Sequence, residues 1–401
     1  MNRKQKLIAA AALAAVAATW AIPAQAGRTL NAVKSRGMVV CGVNTAAPGF
    51  SGADSRGHWK GLDVDICRAV AAAVLKDANK VKFVPLSSEQ RFTALQSGQI
   101  DILARNTTWS MSRDASQGSV FVAMDYLDGQ GFMVPKKYKI HSAKQLNGAT
   151  ICVQTGTSSE KNLADFARAN NIKYKPVVFS TTEATQGAFI SGRCQAYTTD
   201  RSDLAGARLR AKNPNDYVIL PETISKEPLG MAIRRGDDDW FQIVRWSFYT
   251  MVEAEELGIT QKNADSLRSS KNPNVRRLLG LEEDLGRMIG LDKQWSYRII
   301  KQVGNYGESF EANLGPKTPL GLSRGLNRLW TKGGILISPP IRWCIFFKQG
   351  LLPTAARGKP APRPASRLNF LGCLCFSDRN RLSLRVMPPG SRGSAAGDSG
   401  S

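Results

Sequence analysis

The side chains with chemical potential in this chain stand where apolar runs end. Ile102 to Ala104 leads directly into Arg105, Asn106, Thr107 and Thr108, and Arg113 follows a few residues later. A strand that ends in so many hydrogen-bonding groups is either solvated there or holds a ligand. The guanidinium of Arg113 offers the two-pronged match to a carboxylate, with Asn106 and Thr108 beside it. Arg105 either points outward or narrows a side-chain pocket. A second set lies in QTGTSSEKN (154–162), a glycine turn entering a helix, where Thr157, Ser158 and the first free N–H groups suit an anion. It lacks the G-x-x-x-x-G-K frame of a phosphate loop. Asp200 closes CQAYTTD and suits an ammonium, with helix capping the plain alternative for it and for Ser158. Phe50, in APGFSG, lies either over a ligand's carbon frame or in the core. Asp63 and Asp65 are expected to cap and orient the helix that follows them.

Other chemistries have little to stand on. His58 and His141 are the only histidines, neither has a nucleophile partner by sequence position, and no C-x-x-C occurs. No metal site and no cofactor is expected. A carboxylate acting alone keeps a lyase or dehydratase open as the enzyme alternative.

The elements that must position these groups come in two matching series. MVVCGV (38–43), GLDVDICRAVAAAVL (61–75), VKFVPL (81–86), SEQRFTALQSG (88–98) and IDILAR (100–105) alternate strand and helix signals. The order recurs through 149–153, SSEKNLADFARAN (158–170), YKPVVF (174–179), TEATQGAFISG (182–192) and CQAYTTD (194–200). Repetition of that order implies parallel strands with helices on their faces, and ligands in such sheets sit beyond the strands' carboxyl ends. Two α/β lobes are expected, with chain crossings near GQGFMV (129–134) and EPLGMA (227–232). Two crossings permit hinge closure. A helix over DDWFQIVRWSFYTMVEAEELG carries Trp240, Val244, Phe248 and Met251 on one stripe and returns to the first lobe. The expected division is 27–131 for the first lobe, 132–228 for the second and 229–342 for the return and C-terminal helices.

The ends read differently. A basic start, an alanine-rich apolar run and Ala24-Gln25-Ala26 give residues 1–26 the form of a secretory signal, too short for a membrane anchor. Export makes disulfides admissible, and Cys41 with Cys67 and Cys152 with Cys194 are expected to pair in sequence order, four free buried cysteines being the alternative. The chain has 55 Lys and Arg against 32 Asp and Glu. Three basic residues fall in the leader, and nine basic with two acidic fall after Arg342, so +13 of the net +23 belongs to residues 27–342. The basic residues are scattered and no stripe interleaves with aromatics, so nucleic acid is not the expected partner. Residues 343–401 lack sustained periodicity and are rich in Pro, Gly, Ser and Arg, the composition of a disordered extension.

Taken in order, VVCGVNTAAPGF, GLDVDICRAVAAAV, RFTALQSGQIDILARNTTWSMSRD, DGQGFMV, GATICVQTGTSSEKNLADF, FISGRCQAYTTDRSDL, VILPETISKEPLGMAIRRGDDDWFQIVRW and KQVGNYGESFEANLG resemble the periplasmic solute-binding component of ABC transporters for polar or general L-amino acids. The resemblance covers nearly all of residues 29–342. It implies a bilobal type II periplasmic-binding-protein-like fold joined by a two-stranded hinge. It implies a monomer that captures an L-amino acid in the periplasm, without a chemical step or membrane insertion, and hands it to an inner-membrane permease. It further implies Arg113, Thr108 and the Thr157 region for the α-carboxylate, Asp200 for the α-ammonium and Phe50 over the ligand. Many members of that family have a small Ser or Thr where this chain has Arg105 and Asn106, and neither the 343–401 extension nor a side-chain preference follows from it.

Overall fold

Short apolar runs, each followed by an amphipathic stretch and a glycine stop, build the same unit twice. A computed structural model describes residues 27–342. The signal at 1–26 and the extension at 343–401 lie outside the described residues. The chain begins with α1 (Arg28–Arg36), β1 (Val39–Val43), a small hairpin of β2 (Gly52–Ala53) and β3 (Trp59–Lys60), α2 (Leu62–Leu75), β4 (Val81–Pro85), α3 (Gln90–Gln96), β5 (Ile102–Leu103), α4 (Met111–Ser116) and β6 (Ser119–Asp128). The second lobe holds β7 (Gln130–Pro135), β8 (Thr150–Gln154), α5 (Ser158–Ala169), β9 (Lys175–Phe179), α6 (Thr182–Ile190), β10 (Ala196–Asp200), α7 (Arg201–Leu209) and β11 (Tyr217–Ile219). β12 (Glu227–Arg234) returns to the first lobe, followed by α8 (Asp238–Glu256), α9 (Pro273–Leu278), α10 (Trp295–Gln302) and α11 (Tyr306–Asn313).

The two sheets have matching plans. The first runs β4-β1-β5-β12-β6 and the second β11-β7-β10-β8-β9. In each, three strands are parallel: β4, β1 and β5 in one, β9, β8 and β10 in the other. The strand that follows a crossing then joins antiparallel, β12 beside β5 and β7 beside β10. Helices cover both faces of the parallel strands, so β1 is buried at every position and reads as a continuous apolar run. The result is the expected bilobal α/β fold.

The crossings fall at the junction of β6 and β7 and just before β12. Glu227 pairs with Asp128 in register, so the two hinge strands lie side by side. Between them the backbone leaves no room for a side chain at Gly129, where a Cβ would stand 2.2 Å from the Thr223 methyl. β6 is not among the strands read from the sequence: SVFVAMDYLD lacks strict alternation, although glycines flank it on both sides.

The return helix α8 forms as its stripe predicts. Asp237 caps it by accepting from the Trp240 amide at 3.1 Å, and Trp240, Val244, Phe248 and Met251 are all buried. The C-terminal segment braces the hinge: Asn327 accepts from the Leu127 N–H at 2.7 Å and donates back to its carbonyl at 3.0 Å. Arg324 holds Glu255 with two bonds of 2.9 and 3.1 Å. Both expected disulfides form, Cys41 to Cys67 and Cys152 to Cys194, fastening β1 to α2 and β8 to the start of the β10 segment. No helix among the described residues is long and apolar enough to cross a membrane.

Candidate functional site

The parallel strands of both sheets end at the cleft, and that is where the polar runs meet. After β5 the chain turns through Asn106, whose φ of 35° lies in the left-handed region that asparagine tolerates best among residues with a side chain. The turn is held from three directions. Asp63 accepts the Asn106 N–H at 2.8 Å, the Asn44 amide donates to its Oδ1 at 3.1 Å, and its own Nδ2 donates to Asp203 of the second lobe at 3.0 Å. This corrects the expectation that Asp63 and Asp65 serve the following helix. The position before α2 is Gly61 and carries no side-chain cap, while Asp65 accepts from Ser309 and Asn313.

Three arginines of the first lobe face this cleft. Arg113, on α4, donates to the Thr108 carbonyl at 3.0 Å and lies over the Phe92 ring. Arg105 is buried and donates from Nε to the Leu86 carbonyl at 2.8 Å; burial pulls its pKa down to about 10, against the opposing pull of Asp203. It therefore points inward, not to solvent. Arg91, on α3, was missed in the sequence, since an arginine in an amphipathic helix reads as solvated. It is 3 % exposed and reaches across the cleft to the Gly156 carbonyl at 3.1 Å. Burial, with Arg113 and Arg105 nearby, depresses its pKa well below the usual range.

The second lobe supplies carboxylates and a helix start. Thr157 caps α5: its hydroxyl accepts from the Glu160 N–H at 3.2 Å and donates to the Gln154 carbonyl at 2.7 Å. That hydroxyl is fully engaged, so what the α5 terminus offers an anion is its backbone N–H groups. Asp200 precedes α7 but makes no side-chain cap bond. It lines the cavity, and burial first, then Asp128, Asp203 and Glu227, drive its pKa well above the carboxylate range while Arg113 opposes them. Asp203, one turn along α7, is raised to about 7 by burial first, then by Asp128 and Asp63, against the opposing pull of Arg105 and the hydrogen bond from Asn106.

A further acidic group, Glu227, joins the two lobes. Its carboxylate is 1 % exposed and accepts from Thr108 at 2.5 Å on the first lobe, and from Ser158 at 2.8 Å and Asn162 at 2.6 Å on the second. Ser225 of the crossing donates as well. The signal for it was present: a lone acidic residue opening the apolar strand EPLGMA is costly unless it is paired. Thr108 and Ser158, expected against a ligand, lie 3.1 Å apart, each within hydrogen-bond reach of Glu227.

Phe50 is not brought to the cavity. It is wholly buried in the first-lobe core and meets Tyr126 edge-on with ring centres 5.2 Å apart, in a turn closed by the Phe50 and Ser51 N–H groups on the Ala47 carbonyl. The groups that do converge, Arg91, Arg105, Arg113, Thr108, Ser158 and Asp200, line one polar cavity with Asp203 and Asn106. Cations stand on one wall and carboxylates on the other. No cluster of ligating side chains suited to a metal occurs among the described residues.

Two lobes hinged on paired strands around a polar cleft constitute a capture device, and the comparisons agree. Residues 39–263 match the family of bacterial extracellular solute-binding proteins, family 3. The chain belongs to this family. Among family 3 relatives, the general L-amino acid-binding periplasmic protein AapJ of Rhizobium johnstonii is 53 % identical over 341 residues, 84 % of this chain and all of that one. The glutamate/glutamine/aspartate/asparagine-binding protein BztA of Rhodobacter capsulatus is 53 % identical over 341 residues, 85 % of this chain and all of that one. A solved ABC transporter periplasmic binding protein from Brucella ovis, with glutathione bound, superposes with a TM-score of 0.77 at 53 % identity, covering 78 % of this chain and 99 % of its own. Family 3 proteins bind and deliver solutes to transporters, so this chain is an extracytoplasmic binding component and not an enzyme.

Proposed function

We propose that the protein captures L-amino acids in the periplasm as a monomer and presents them, closed, to an inner-membrane ABC permease. One observation carries the reading: Asp200 has an open carboxylate in the same small cavity as Arg113, and each acts electrostatically on the other. An amino acid zwitterion completes both. The α-carboxylate goes to Arg113 and the N–H groups at the start of α5, and the α-ammonium goes to Asp200, with Thr108, Ser158 and Asn106 framing the head group. Buried charges are costly unless paired, so ligands with one charge leave a partner stranded and are rejected. Arg105 meets the side chain and favours those that end in an oxygen acceptor, a preference supported by the names of BztA and, through the γ-glutamyl group of glutathione, of the Brucella protein. Lobe boundaries at 27–131, 132–228 and 229–342 define the bodies that move.

Calorimetry against a panel of common L-amino acids, on protein freed of endogenous ligand by unfolding and refolding, tests this. Arg113→Ala is expected to weaken binding by several kcal/mol, about 2–5, since it strands a buried carboxylate. Folded protein that binds no amino acid overturns the reading.

A further inference from the structure

Beyond the inner cavity the cleft continues into a second and larger one, about 160 Å³ against about 30 Å³. The two share Asn44, Arg105 and Gln154. Pro85 and Leu86 give the outer cavity an apolar wall, and Ser87 and Gln90 add polar groups. Thr45 of the first lobe donates to Glu183 of the second beside it.

At the junction, two of the three shared residues have their polar atoms engaged. Asn44 donates to Asn106 and accepts from the Ala46 N–H. Gln154 donates to the Ser180 carbonyl and accepts from Thr182. Arg105 uses Nε alone, on the Leu86 carbonyl, and its two terminal nitrogens make no hydrogen bond within the described residues. A buried guanidinium with open donors calls for an acceptor oxygen at that point. The inner cavity reads an ammonium and a carboxylate; in the outer cavity the lining carboxylate, Glu183, already accepts from Thr45, and Arg105, shared with the inner cavity, is its cation.

A ligand that fills both therefore carries its amino acid head inside, an oxygen acceptor at Arg105 and a tail outside. Peptide chemistry narrows the class. In an α-linked peptide the N-terminal residue has lost its carboxylate to the amide and the C-terminal residue its ammonium. A γ-glutamyl amide keeps both charges on one carbon and places its linking carbonyl at the end of the side chain. We propose that the outer cavity is a tail subsite for γ-glutamyl amides, with the linking carbonyl received by Arg105. The inference rests on the amino acid reading of the inner cavity.

The test is calorimetry of the refolded, ligand-free chain with L-glutamine, γ-L-glutamylglycine and α-L-glutamylglycine. Gln90→Trp and Ser87→Trp, each made separately, narrow the outer cavity at residues that do not line the inner one. We expect γ-L-glutamylglycine within about 10-fold of glutamine and the α isomer weaker by about 100-fold or more. Either tryptophan variant is expected to weaken γ-L-glutamylglycine by about 10-fold while glutamine stays within about 3-fold. Glutamine binding without γ-L-glutamylglycine binding overturns the subsite and leaves the amino acid reading intact, as does equal loss of both ligands in a variant that folds. Binding of none of the three overturns both; binding of γ-L-glutamylglycine alone supports the subsite and confines the reading to extended ligands.

Discussion

In the proposed complex Asp200 is the buried carboxyl group that meets the α-ammonium. Burial and three neighbouring carboxylates favour its protonated form, and Arg113 alone pulls the other way. An ammonium arriving beside it reverses that balance, because an opposite charge within a few ångströms favours the ionised form. Binding is then expected to expel a proton wherever Asp200 is protonated beforehand. At neutral pH, calorimetry in two buffers of different ionisation heat is expected to show proton release, and the apparent affinity is expected to rise with pH until Asp200 is ionised in the free protein. Asp200→Asn should abolish the release; a release of the same size in that variant would place the proton elsewhere. The residue was legible in the sequence as a strand-end acid, but its protonation was not, since Asp128 and Glu227 come from two other segments of the chain and only Asp203 is local.

At the scale of the elements, the hinge strands carry the coupling between ligand and closure. β6 and β12 run side by side, and Glu227 at the start of β12 accepts from both lobes at once. Each hydroxyl has one proton, and Thr108 and Ser158 lie within hydrogen-bond reach of both Glu227 and each other, which fixes how the pair is placed before a ligand. Glu227→Gln replaces an acceptor by a donor and sets the new amide against hydroxyl or amide protons. The cost is about 1–3 kcal/mol, and it falls on the closed arrangement because opening separates Thr108 from Ser158 and relieves the conflict. Small-angle scattering or an interlobe fluorescence pair is expected to show the ligand-free variant more open than wild type; an unchanged interlobe distance would mean that Glu227 does not hold the lobes. The repeat of strand and helix, the α8 stripe and both disulfides were readable, because periodicity and cysteine order are local facts. Arg91, the partners of Glu227 and the burial of Phe50 were not, because each depends on which segment lies opposite, and α3 or EPLGMA alone carries no record of that.

The whole molecule holds an unusual store of acid. Asp63 and Asp203 are raised by burial to about 7, and Asp125, Asp128 and Asp200 are raised as well. Asp125 is extreme in its surroundings, with both carboxyl oxygens buried and without a hydrogen-bond partner in the protein. A carboxyl whose folded pKa exceeds its unfolded value near 3.8 binds its proton more tightly in the folded state. Its contribution is fully present below that unfolded value and is lost as pH rises through the folded one. For Asp63 and Asp203 the window runs from about 4 to about 7. Each such shift is worth a few kcal/mol, roughly 1.4 per unit, reduced where the two carboxyls and Arg105 share the change. The lowered acids, Asp54, Glu222, Asp265 and Asp292, work in the opposite direction but are mostly solvated, so water and salt screen them. The ligand-free protein is therefore expected to melt several degrees higher at pH 5.5 than at pH 8, by about the amount a few kcal/mol gives a chain of this size. Saturating amino acid should narrow that difference, because an ammonium on Asp200 stabilises the ionised form that high pH would otherwise leave unpaired. Thermal melts across that range, with and without ligand, check both signs, and a ligand-free midpoint that climbs steadily from pH 5.5 to 8 would refute the assignment of the buried acids.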